Sequence, residues 1–558
     1  MKENKKRILI LGAGLMQGPA IRAAKELGCE VIAVDGNPNA VCAKEADKFF
    51  PIDLKDIPAL IDLAKSLKEK GLHGVFTAAT DFSVSVAAIA ESCSLPGHSL
   101  EAARRASDKV LMRECFEKHG VPSPKFTHIF KNEIDKALQI LKQKAIPFPL
   151  TVKPADNMGA RGCRLVYSQD ELRPALEDAV NFSRSGKAIA EEFIDGEEFS
   201  LEALVINGEI FLNALADRHI FFPPYFVEMG HTIPSIKSKE ECDELIRVFF
   251  LGIKALGLTN GAAKGDIFLR KADPQKNGKR TACVGEIAAR LSGGYMSGWT
   301  VPYSSGFDVT KAAVKIALGE PVDELPNSEA ARFSAERAAR FSAERAWISV
   351  PGIIKKIYGL EEARSTKNIK DVLPRIFEKD ETVFPKNNVE KCGNVLSSAE
   401  SYDEAVKASM EAVQKIFLRL ERAYNKTNLF FEKINPSITV QGNYPPNFFK
   451  FSEDDSTKEI KNKAFDELLK NSILAEEDKI LYPSFFKDFL DKAFDVHGLS
   501  IRKAIKQAFF LEPKLKEKML TLQTIGEPLN PSLVLWWKYF IRGSRQGLIY
   551  YLDTELNG

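Results

Sequence analysis

Apolar runs and amphipathic stretches alternate over the first hundred residues. Arg7 to Leu11 is a short apolar run typical of a buried strand, and a glycine-rich turn then leads into a helical stretch that starts at Pro19. Glu30 to Val34 predicts the next strand, and Gly74 to Thr77 predicts a later parallel one. Strands that alternate with helices in this way predict a Rossmann-like α/β domain over residues 1–104.

The pattern changes near residue 105, where an α+β region begins. A helix predicted to end at Gly120 is followed by a proline-rich break. Residues 150–154 then predict a strand that presents a lysine, and later apolar runs predict further strands. We therefore predict a second domain over residues 105–330, completed by residues 331–427.

From about Asn428 the chain becomes rich in phenylalanine, lysine and helical patterns. Apolar side chains recur at helical spacing at Ile460, Phe465, Leu468 and Leu469. We predict an appended, mostly helical domain of unknown role over residues 428–558. Trp536 and Trp537 stand among aromatic and basic residues, but packing in a helical core explains them better than a nucleic-acid surface.

An identical octapeptide, AARFSAER, occurs twice in tandem from Ala330 to Arg345. Its composition favours a helix. We therefore expect either a helix that is longer by about two turns or a loop that bulges from the surface. We assign no function to the repeat.

Composition narrows the class of protein. The 558 residues are 44% hydrophobic and 28% charged, which is ordinary for a multidomain globular protein, and the net charge of +2 gives no reason to expect a nucleic-acid partner. None of the eight cysteines forms a CxxC pair, so we expect reduced thiols and a cytoplasmic location. No long apolar segment predicts a membrane span.

Two carboxylates form a candidate metal-binding pair. Asp266 and Glu286 lie about twenty residues apart, and each stands on an apolar run that predicts a strand. Two acids on neighbouring strands can share one Mg²⁺, because hard cations prefer oxygen ligands. Arg290 follows Glu286 by four residues on the same predicted strand, so its side chain is expected on the same face as Glu286. A hairpin with a charged outer face is the alternative.

A lysine and a glycine-rich loop suggest phosphate binding. Lys153 ends a predicted strand, and the loop that follows contains Gly159 and Gly162, whose backbone N–H groups can wrap a phosphate. Lys109 lies in the first turn of a helix predicted to start at Ser107 or Asp108. Taken alone, that lysine is more often a solvated surface residue.

This order of motifs resembles the ATP-grasp superfamily over residues 1 to about 425. Within it, the chain is most similar to carboxylate–amine ligases, including L-amino-acid ligases, and more distantly to purine-pathway ligases and carbamoyl-phosphate-synthase-like proteins. The resemblance implies a Rossmann-like domain followed by a two-lobed domain that clasps ATP. It also implies small-molecule carboxylate and amine substrates and, as in related ligases, a homodimer.

The resemblance implies a nucleotide site. The phosphates would contact Lys109, Lys153, Gly159 and Gly162, adenine would contact Glu191 and the backbone of Glu192 and Ile194, and ribose would contact Glu198. Asp266 and Glu286 would hold Mg²⁺ or Mn²⁺, and Arg290 would stabilise the transferred phosphoryl group.

Two further segments bear on the substrates. Many relatives have Glu-x-Asn-x-Arg where this chain has Ala288, so one oxygen ligand of a second metal ion is missing. Glu228 and His231 lie in a stretch that resembles an acceptor-site loop, and an ordered loop with a hydrogen-bonded histidine is the alternative. Gly293 and Gly294 would face the acceptor.

The function predicted from these features is ATP-dependent joining of a carboxylate to an amine through an acyl phosphate, with release of ADP and phosphate. One alternative is a nucleotide-binding or interaction protein with weak or no catalysis. A third possibility is an NAD-dependent oxidoreductase that uses Gly12, Gly14 and Asp35.

Overall fold

The computed structural model describes residues 5–272, 278–322, 325, 340–432, 444–450, 472–475, 480–483, 490–524 and 531–555. The chain divides into two compact units. One comprises Met1–Ile220, Gly230–Glu344 and Leu396–Val406, and the other comprises Phe221–Met229, Arg345–Val395 and Lys407–Gly558. The finer domain boundaries drawn from the sequence stay predictions.

The first unit begins with a parallel sheet. Its strands are β1 (Arg7–Leu11), β2 (Glu30–Val34), β3 (Lys48–Phe50) and β4 (Leu72–Phe76), in the order β3-β2-β1-β4. Helices α1 (Gly18–Glu26), α2 (Ile57–Lys68) and α3 (Ser83–Ser92) connect or follow them. The four apolar residues that end β1 are fully buried, as expected for a central strand covered on both faces. The predicted Rossmann-like α/β fold is confirmed.

Two helices lead into the next sheet. They are α4 (Leu100–Ser107) and α5 (Lys109–His119). Asp108 caps α5 by accepting hydrogen bonds from the N–H groups of Val110 and Leu111. Gly120 ends α5 at φ 67°, a left-handed conformation that glycine adopts at little cost. The capping residue therefore fixes where Lys109 begins its helix.

A four-stranded antiparallel sheet forms the smaller lobe of the next region. Its strands are β5 (Phe126–Phe130), β6 (Leu150–Pro154), β7 (Arg164–Val166) and β8 (Lys187–Glu192), in the order β5-β8-β6-β7. Helices α6 (Ala137–Gln143) and α7 (Gln169–Phe182) belong to the same lobe. Their apolar residues share one core with the sheet.

The larger lobe is built on a longer sheet. Five of its strands are β9 (Gly196–Ile206), β10 (Glu209–Phe221), β11 (Val227–Ile233), β12 (Gly261–Arg270) and β13 (Ala282–Ala288), which neighbour one another in the order β13-β12-β9-β10-β11. Helices α8 (Lys239–Leu256), α9 (Val301–Ser305) and α10 (Val309–Ala317) accompany it. Helix α8 packs on β12 and β13, whose inward residues join it in one apolar core.

The second AARFSAER copy corrects one expectation. The first copy and the first two residues of the second copy lie outside the described residues, whereas residues 341–345 of the second copy begin strand β14 (Phe341–Trp347) of the same sheet, in which every residue is buried. Ser342 Oγ donates to the carbonyl of Ser397 at 2.6 Å. Helix-forming composition is a weak preference, and pairing within a buried sheet overrides it.

The second unit contains a three-stranded sheet, in the order β17-β15-β19, and most of the remaining helices. The elements that follow β14 along the chain are β15 (Gly352–Tyr358), α11 (Leu360–Arg364), β16 (Ile369–Pro374), β17 (Glu381–Thr382), β18 (Gly393–Ala399), α12 (Tyr402–Lys415), β19 (Phe417–Leu420) and α13 (Asn425–Glu432). Short strands follow at Phe449–Lys450, Ser472–Ala475, Ile480–Pro483 and Phe494–Asp495. The last described elements are the helices Ile501–Leu511, Pro513–Thr524 and Pro531–Glu555.

The core of the second unit joins residues from both sides of position 428. Trp347, Phe417, Phe431, Trp536 and Trp537 belong to one buried apolar cluster. The two tryptophans are fully buried, so they pack in a core rather than forming a surface. The predicted helical pattern over residues 460–469 lies outside the described residues.

Two chain-wide properties agree with the sequence. All eight cysteines are free thiols. Within the described ranges, no helix is both long enough and apolar enough to cross a membrane.

Candidate functional site

The glycine-rich loop between β6 and β7 meets the start of α5. Lys109 is buried, and its Nζ donates to the carbonyl of Asn157 in this loop at 2.8 Å. Gly159 and Gly162 take φ values of 70° and 68°, which favour glycine. Asp156 holds the base of the loop by accepting from the backbone N–H groups of residues 184 and 185. The structure therefore brings Lys109 to the predicted phosphate loop.

Glu191 lies at the centre of a buried ion triad. Its Oε1 accepts from Arg113 Nε at 2.7 Å, and its Oε2 is 2.7 Å from Lys153 Nζ. The side chains of Arg113 and Glu191 are each 1% exposed. Burial opposes ionisation, but the two cations lower the pKa of Glu191, which therefore stays charged. Both carboxylate oxygens have protein partners, so the geometry makes Glu191 the support of Lys153.

The segment after Glu191 holds the predicted adenine contacts. The backbone N–H of Glu192 donates to the carbonyl of Lys125 at 2.9 Å, and its side chain lies 3.0 Å from Arg270. Ile194 is buried. The N–H of Glu192 thus has a partner in the protein, which leaves the backbone of Ile194 as the other predicted base contact.

Arg218 links the predicted ribose residue to the predicted metal site. It forms an ion pair with Glu198, and its Nη1 is 2.7 Å from Asp266 Oδ1. Lys264 forms an ion pair with the other oxygen of Asp266. Both oxygens of Asp266 therefore face cationic side chains.

The two candidate metal ligands are directly opposite each other. Antiparallel pairing of β12 and β13 aligns Asp266 with Glu286 and Lys264 with Ala288. The side chains of Asp266 and Glu286 are 15% and 34% exposed. Paired residues of neighbouring strands lie on one face, with Cβ atoms about 5 Å apart. This spacing suits two carboxylates that hold one cation.

Four cations surround the Glu286 carboxylate. Burial raises its pKa, but Lys109, Lys264, Lys153 and Arg290 lower it more, to about 2. Lys109 Nζ lies 3.5 Å from Glu286 Oε1. Glu286 is therefore an anion at neutral pH, as a ligand of Mg²⁺ must be.

The residues present fit a divalent cation. Asp266 and Glu286 offer the oxygen ligands that Mg²⁺ prefers. Asp266 Oδ1 is buried, and among the described residues it accepts no hydrogen bond of ordinary geometry; its contact there is ionic, with Arg218 Nη1 at 2.7 Å. A buried carboxylate oxygen without a directed donor can take a metal ion as its partner.

Arg290 lies beyond the strand that was expected to carry it. Strand β13 ends at Ala288, so the argument from strand alternation does not reach Arg290. The chain leaves the strand because Leu291 pairs with the N-terminal domain, where its carbonyl accepts from the N–H of Ala79. The Nε of Arg290 is buried and has no hydrogen-bond partner in the described part of the chain, which suits an anion.

A buried carboxylate that the sequence reading missed holds the glycine loop. Glu202 Oε2 accepts from the N–H of Ser292 at 2.7 Å and from the Ser297 hydroxyl. Burial raises the pKa of Glu202 although these hydrogen bonds lower it. Gly293 and Gly294 lie between the two anchored serines, and Gly294 has φ 62°. The loop is thus fixed at both ends.

His231 and Glu228 fall in different units. His231 is buried in the first unit, with Nε2 2.6 Å from Thr300 Oγ1 and Nδ1 3.5 Å from Glu344 Oε2. Glu344 belongs to the second AARFSAER copy. In the second unit, the Glu228 N–H donates to Asn388 Oδ1 and its carbonyl accepts from Lys391 Nζ.

The backbone N–H groups of the N-terminal glycine turn donate hydrogen bonds to acceptors within the protein. Ala13 N donates to Asp35 Oδ2 at 2.8 Å, and Gly14 N donates to Gln17 Oε1 at 3.1 Å. The N–H of Gly12 donates to the carbonyl of Val34. The turn therefore packs strand against helix, and its donors are not free for a dinucleotide phosphate.

Comparison with known families identifies three regions. Residues 106–290 match the ATP-grasp domain family, and residues 21–97 match the ATP-grasp N-terminal domain. These two regions carry the ATP-grasp domain and its N-terminal companion domain. Residues 346–421 match the L-amino acid ligase C-terminal domain 2. The resemblance predicted from the sequence is confirmed.

The chain matches only part of the length of its curated relatives. The chain is 24% identical over 359 residues to the carbamoyl phosphate synthase large chain of Archaeoglobus fulgidus. The matched region covers 58% of this chain and 31% of the relative. It is 27% identical over 379 residues to the C-terminal section of the Methanocaldococcus jannaschii large chain. That matched region covers 62% of this chain and 55% of the relative. The chain thus spans from about a third to just over half of these relatives.

Solved structures share the ATP-grasp fold. L-amino acid ligase from Bacillus licheniformis superposes with a TM-score of 0.62 at 22% identity, covering 75% of this chain and 99% of that one. Phosphoribosylglycinamide synthetase from Anaerococcus prevotii gives a TM-score of 0.56 at 24% identity, covering 75% and 100%. At these identities the likeness extends to the fold alone.

The sequence reading missed several charged partners in the site. Arg113 follows Lys109 by four residues on α5, so helical spacing places both on one face. Glu202 follows Glu198 by four residues on β9, so strand alternation places both on one face. Arg218 stands near the end of β10, where no local pattern distinguishes it.

Proposed function

We propose that this ATP-grasp protein is an ATP-dependent ligase that activates a substrate carboxylate as an acyl phosphate and joins it to an amine. One observation carries the proposal. Glu286, paired with Asp266 across two strands, is surrounded by Lys109, Lys153 and Arg290. An ionised acid pair with cations around it suits a polyphosphate whose terminal phosphoryl group is transferred.

The nucleotide would lie along the loop and the triad. Lys109 and Lys153 offset the charge of the phosphates, and the backbone around Gly159 and Gly162 directs them. Glu191 keeps Lys153 in position through their ion pair. Adenine would contact the segment from Glu191 to Ile194. The carboxylate of Glu198 would accept hydrogen bonds from the ribose hydroxyls after its ion pair with Arg218 breaks.

Asp266 and Glu286 would hold Mg²⁺ or Mn²⁺, which supplies charge stabilisation to the transferred phosphoryl group when it is bound. The protein's own contribution is electrostatic. Arg290, whose Nε is buried and has no hydrogen-bond partner among the described residues, would stabilise negative charge on the phosphoryl oxygens and on the acyl phosphate. A carboxylate oxygen of the substrate would attack the γ-phosphorus, and ADP would leave. The amine would then attack the acyl carbon, phosphate would leave, and the nitrogen would lose a proton to solvent to give the amide.

The acceptor side is assigned to the glycine loop. Gly293 and Gly294, held by Glu202 through Ser292 and Ser297, would border the carboxylate and amine substrates. His231, in the first unit, is a proposed acceptor residue, and an acceptor role for Glu228, in the second unit, stays a prediction. The match of residues 346–421 to an L-amino acid ligase domain favours amino acids as substrates.

The test is ADP release against pairs of compounds. The purified chain with Mg-ATP is supplied with a matrix of amino acids and small carboxylates crossed with amines, and condensed products are identified by mass spectrometry. We expect ADP, phosphate and product in a 1:1:1 ratio for at least one pair. Absence of ADP release across the matrix, with ATP binding intact, would overturn the ligase proposal.

A second candidate is a nucleotide-binding protein with weak or no turnover. Two observations favour it: Ala288 offers no oxygen ligand, and both oxygens of Asp266 face cations. It predicts ATP binding without ADP release, and Ala288→Asn would not restore turnover. A homodimer and a cytoplasmic location stay predictions, and light scattering of the purified chain tests the first.

A further inference from the structure

Four residues form a square on one face of the β12–β13 hairpin. The register pairs Lys264 with Ala288 and Asp266 with Glu286. Directly paired residues share a face, as do residues two apart along a strand, so all four positions lie together. The square therefore contains one ammonium group, two carboxylates and one methyl group.

The corner at Ala288 has no ligand atom for a metal ion. Ala288 is 4% exposed, and its methyl group cannot coordinate a cation. Mg²⁺ takes oxygen ligands in near-octahedral geometry and holds its waters tightly. The protein thus supplies two carboxylates for one cation and no oxygen at the fourth corner for another.

The corner that pairs with Ala288 across the strands already holds a fixed cation. Lys264 is 16% exposed, and its Nζ forms an ion pair with Asp266. Lys264 is also one of the four cations that surround Glu286. An ammonium group at this place repels a second divalent cation and attracts the nucleotide phosphates.

We propose that the Lys264 ammonium takes the place of a second divalent cation, so that the nucleotide complex holds a single cation between Asp266 and Glu286. The inference rests on the proposed function for the presence of nucleotide. It assigns Lys264 to the phosphate site, which the sequence reading did not.

The first test counts cations and needs no variant. Mn²⁺ is titrated into the full chain with a saturating non-hydrolysable ATP analogue, and free Mn²⁺ is measured by electron paramagnetic resonance, with correction for Mn²⁺ bound to free analogue. We expect one Mn²⁺ per complex. Two equivalents bound with similar affinity would overturn the inference.

The second test removes the Lys264 ammonium group and asks whether Mg²⁺ can replace it. Lys264→Ala should weaken binding of the analogue about tenfold at one equivalent of Mg²⁺, which is the loss expected for one charge-assisted contact. Excess Mg²⁺ should restore binding, because a divalent cation can then occupy the vacated place. Lys264→Ala together with Ala288→Asn should bind two Mn²⁺ ions. Unchanged affinity, or a loss that Mg²⁺ does not restore, contradicts the proposal.

Two controls match these variants. Lys264→Arg keeps the charge and should retain a single Mn²⁺. Lys311→Ala removes a lysine that pairs with Glu26, so it should leave binding unchanged. The cation count also separates the two proposals: one Mn²⁺ with no ADP release refutes the ligase alone, and two Mn²⁺ with ADP release refutes the role of Lys264 alone. A chain that binds no nucleotide refutes both.

Discussion

Glu191 is the residue on which two cations of the site depend. Its carboxylate is 1% exposed and lies 2.7 Å from both Arg113 and Lys153. Arg113 Nη2 also donates to the carbonyl of Gly285 on β13, at 2.5 Å. The triad thus ties α5, β6, β8 and β13 together around one buried charge.

Glu191→Gln removes that charge and keeps the shape. Arg113 and Lys153 then lose their counter-ion, and breaking a buried pair from one side costs about 3–5 kcal/mol. We expect the free energy of unfolding to fall by that amount in urea denaturation, and nucleotide affinity to fall because Lys153 is no longer held.

Glu197→Gln is the matched control. Glu197 is 48% exposed and pairs with Lys237 and Arg280, and an exposed pair is worth about 0–1 kcal/mol. Equal losses in the two variants would show that the Glu191 triad does not support the fold or the site.

At the scale of elements, two contacts hold segments in register. Glu202 on β9 fixes the loop from Ser292 to Ser297. His98, which precedes α4, fixes the start of β12: its Nε2 lies 3.0 Å from the carbonyl of Ala262, and its Nδ1 accepts from the N–H of Thr259. Each contact positions a segment of the candidate site from a distant part of the chain.

Glu202→Ala should loosen the glycine loop. The N–H of Ser292 and the hydroxyl of Ser297 lose their buried acceptor, at a cost of about 2–4 kcal/mol. Amide exchange at Ser292, followed by mass spectrometry, should become faster. Ser297→Ala removes only one of these bonds and should have a smaller effect. Unchanged exchange in Glu202→Ala would contradict the anchoring role.

The His98 contact predicts a pH dependence of stability. Burial lowers the pKa of His98 from 6.5 to about 4, although its bond to Ala262 raises it. The unfolded chain takes up a proton below about pH 6.5 while the folded ring stays neutral. Stability should therefore decline as the pH falls from about 6.5 towards 4.

The measurement is the free energy of unfolding between pH 4 and 7 for the parent chain and His98→Gln. Glutamine offers both an acceptor and a donor but does not titrate, so the slope should become shallower. The slope should not vanish, because His497 in the second unit also has a pKa lowered by burial to about 4. Identical slopes would contradict the prediction.

At the scale of the molecule, the residues beyond 428 belong to the core of the second unit. Phe431 stacks on Tyr539 with ring centroids 4.4 Å apart, and Trp536, Trp537 and Phe540 are fully buried with them. Arg419 on β19 makes a two-oxygen ion pair with Asp553 in the last helix. The C-terminal region is therefore part of the fold of this unit.

A chain that ends at residue 427 should not fold its second unit. The cut removes Phe431, Trp537 and the other aromatic partners of the core, so apolar surface is left exposed and the product should aggregate. Soluble yield and dye binding to exposed apolar surface measure this. Truncation therefore cannot isolate a separate role for the region.

Single substitutions measure how much individual aromatic side chains contribute to the stability of the second unit. Trp537→Ala removes a fully buried side chain and should cost about 3–5 kcal/mol. Phe510→Ala is the matched control, because Phe510 is 85% exposed and its loss should change stability by less than about 0.5 kcal/mol. Similar losses would mean that the two aromatics contribute alike.

Local patterns predicted the elements that carry the candidate site. The apolar run before Gly12, the helix end at Gly120, the glycines after Lys153 and the spacing of Asp266 and Glu286 each depend on a few neighbouring residues. Helix caps, left-handed turns and strand alternation act over that range. For this reason the fold class and the family could be recognised from the sequence alone.

The tertiary structure alone decided which charges meet. Arg113 and Glu191 are 78 residues apart, and Ser292 and Glu202 are 90 apart, so no local pattern relates them. The pairing of Lys264 with Ala288 depends on strand register, and residues 341–345 of the second AARFSAER copy form a strand because the surrounding sheet overrides their helix preference. The sequence determined which groups are present, and long-range packing determined the partners that give each group its charge state and role.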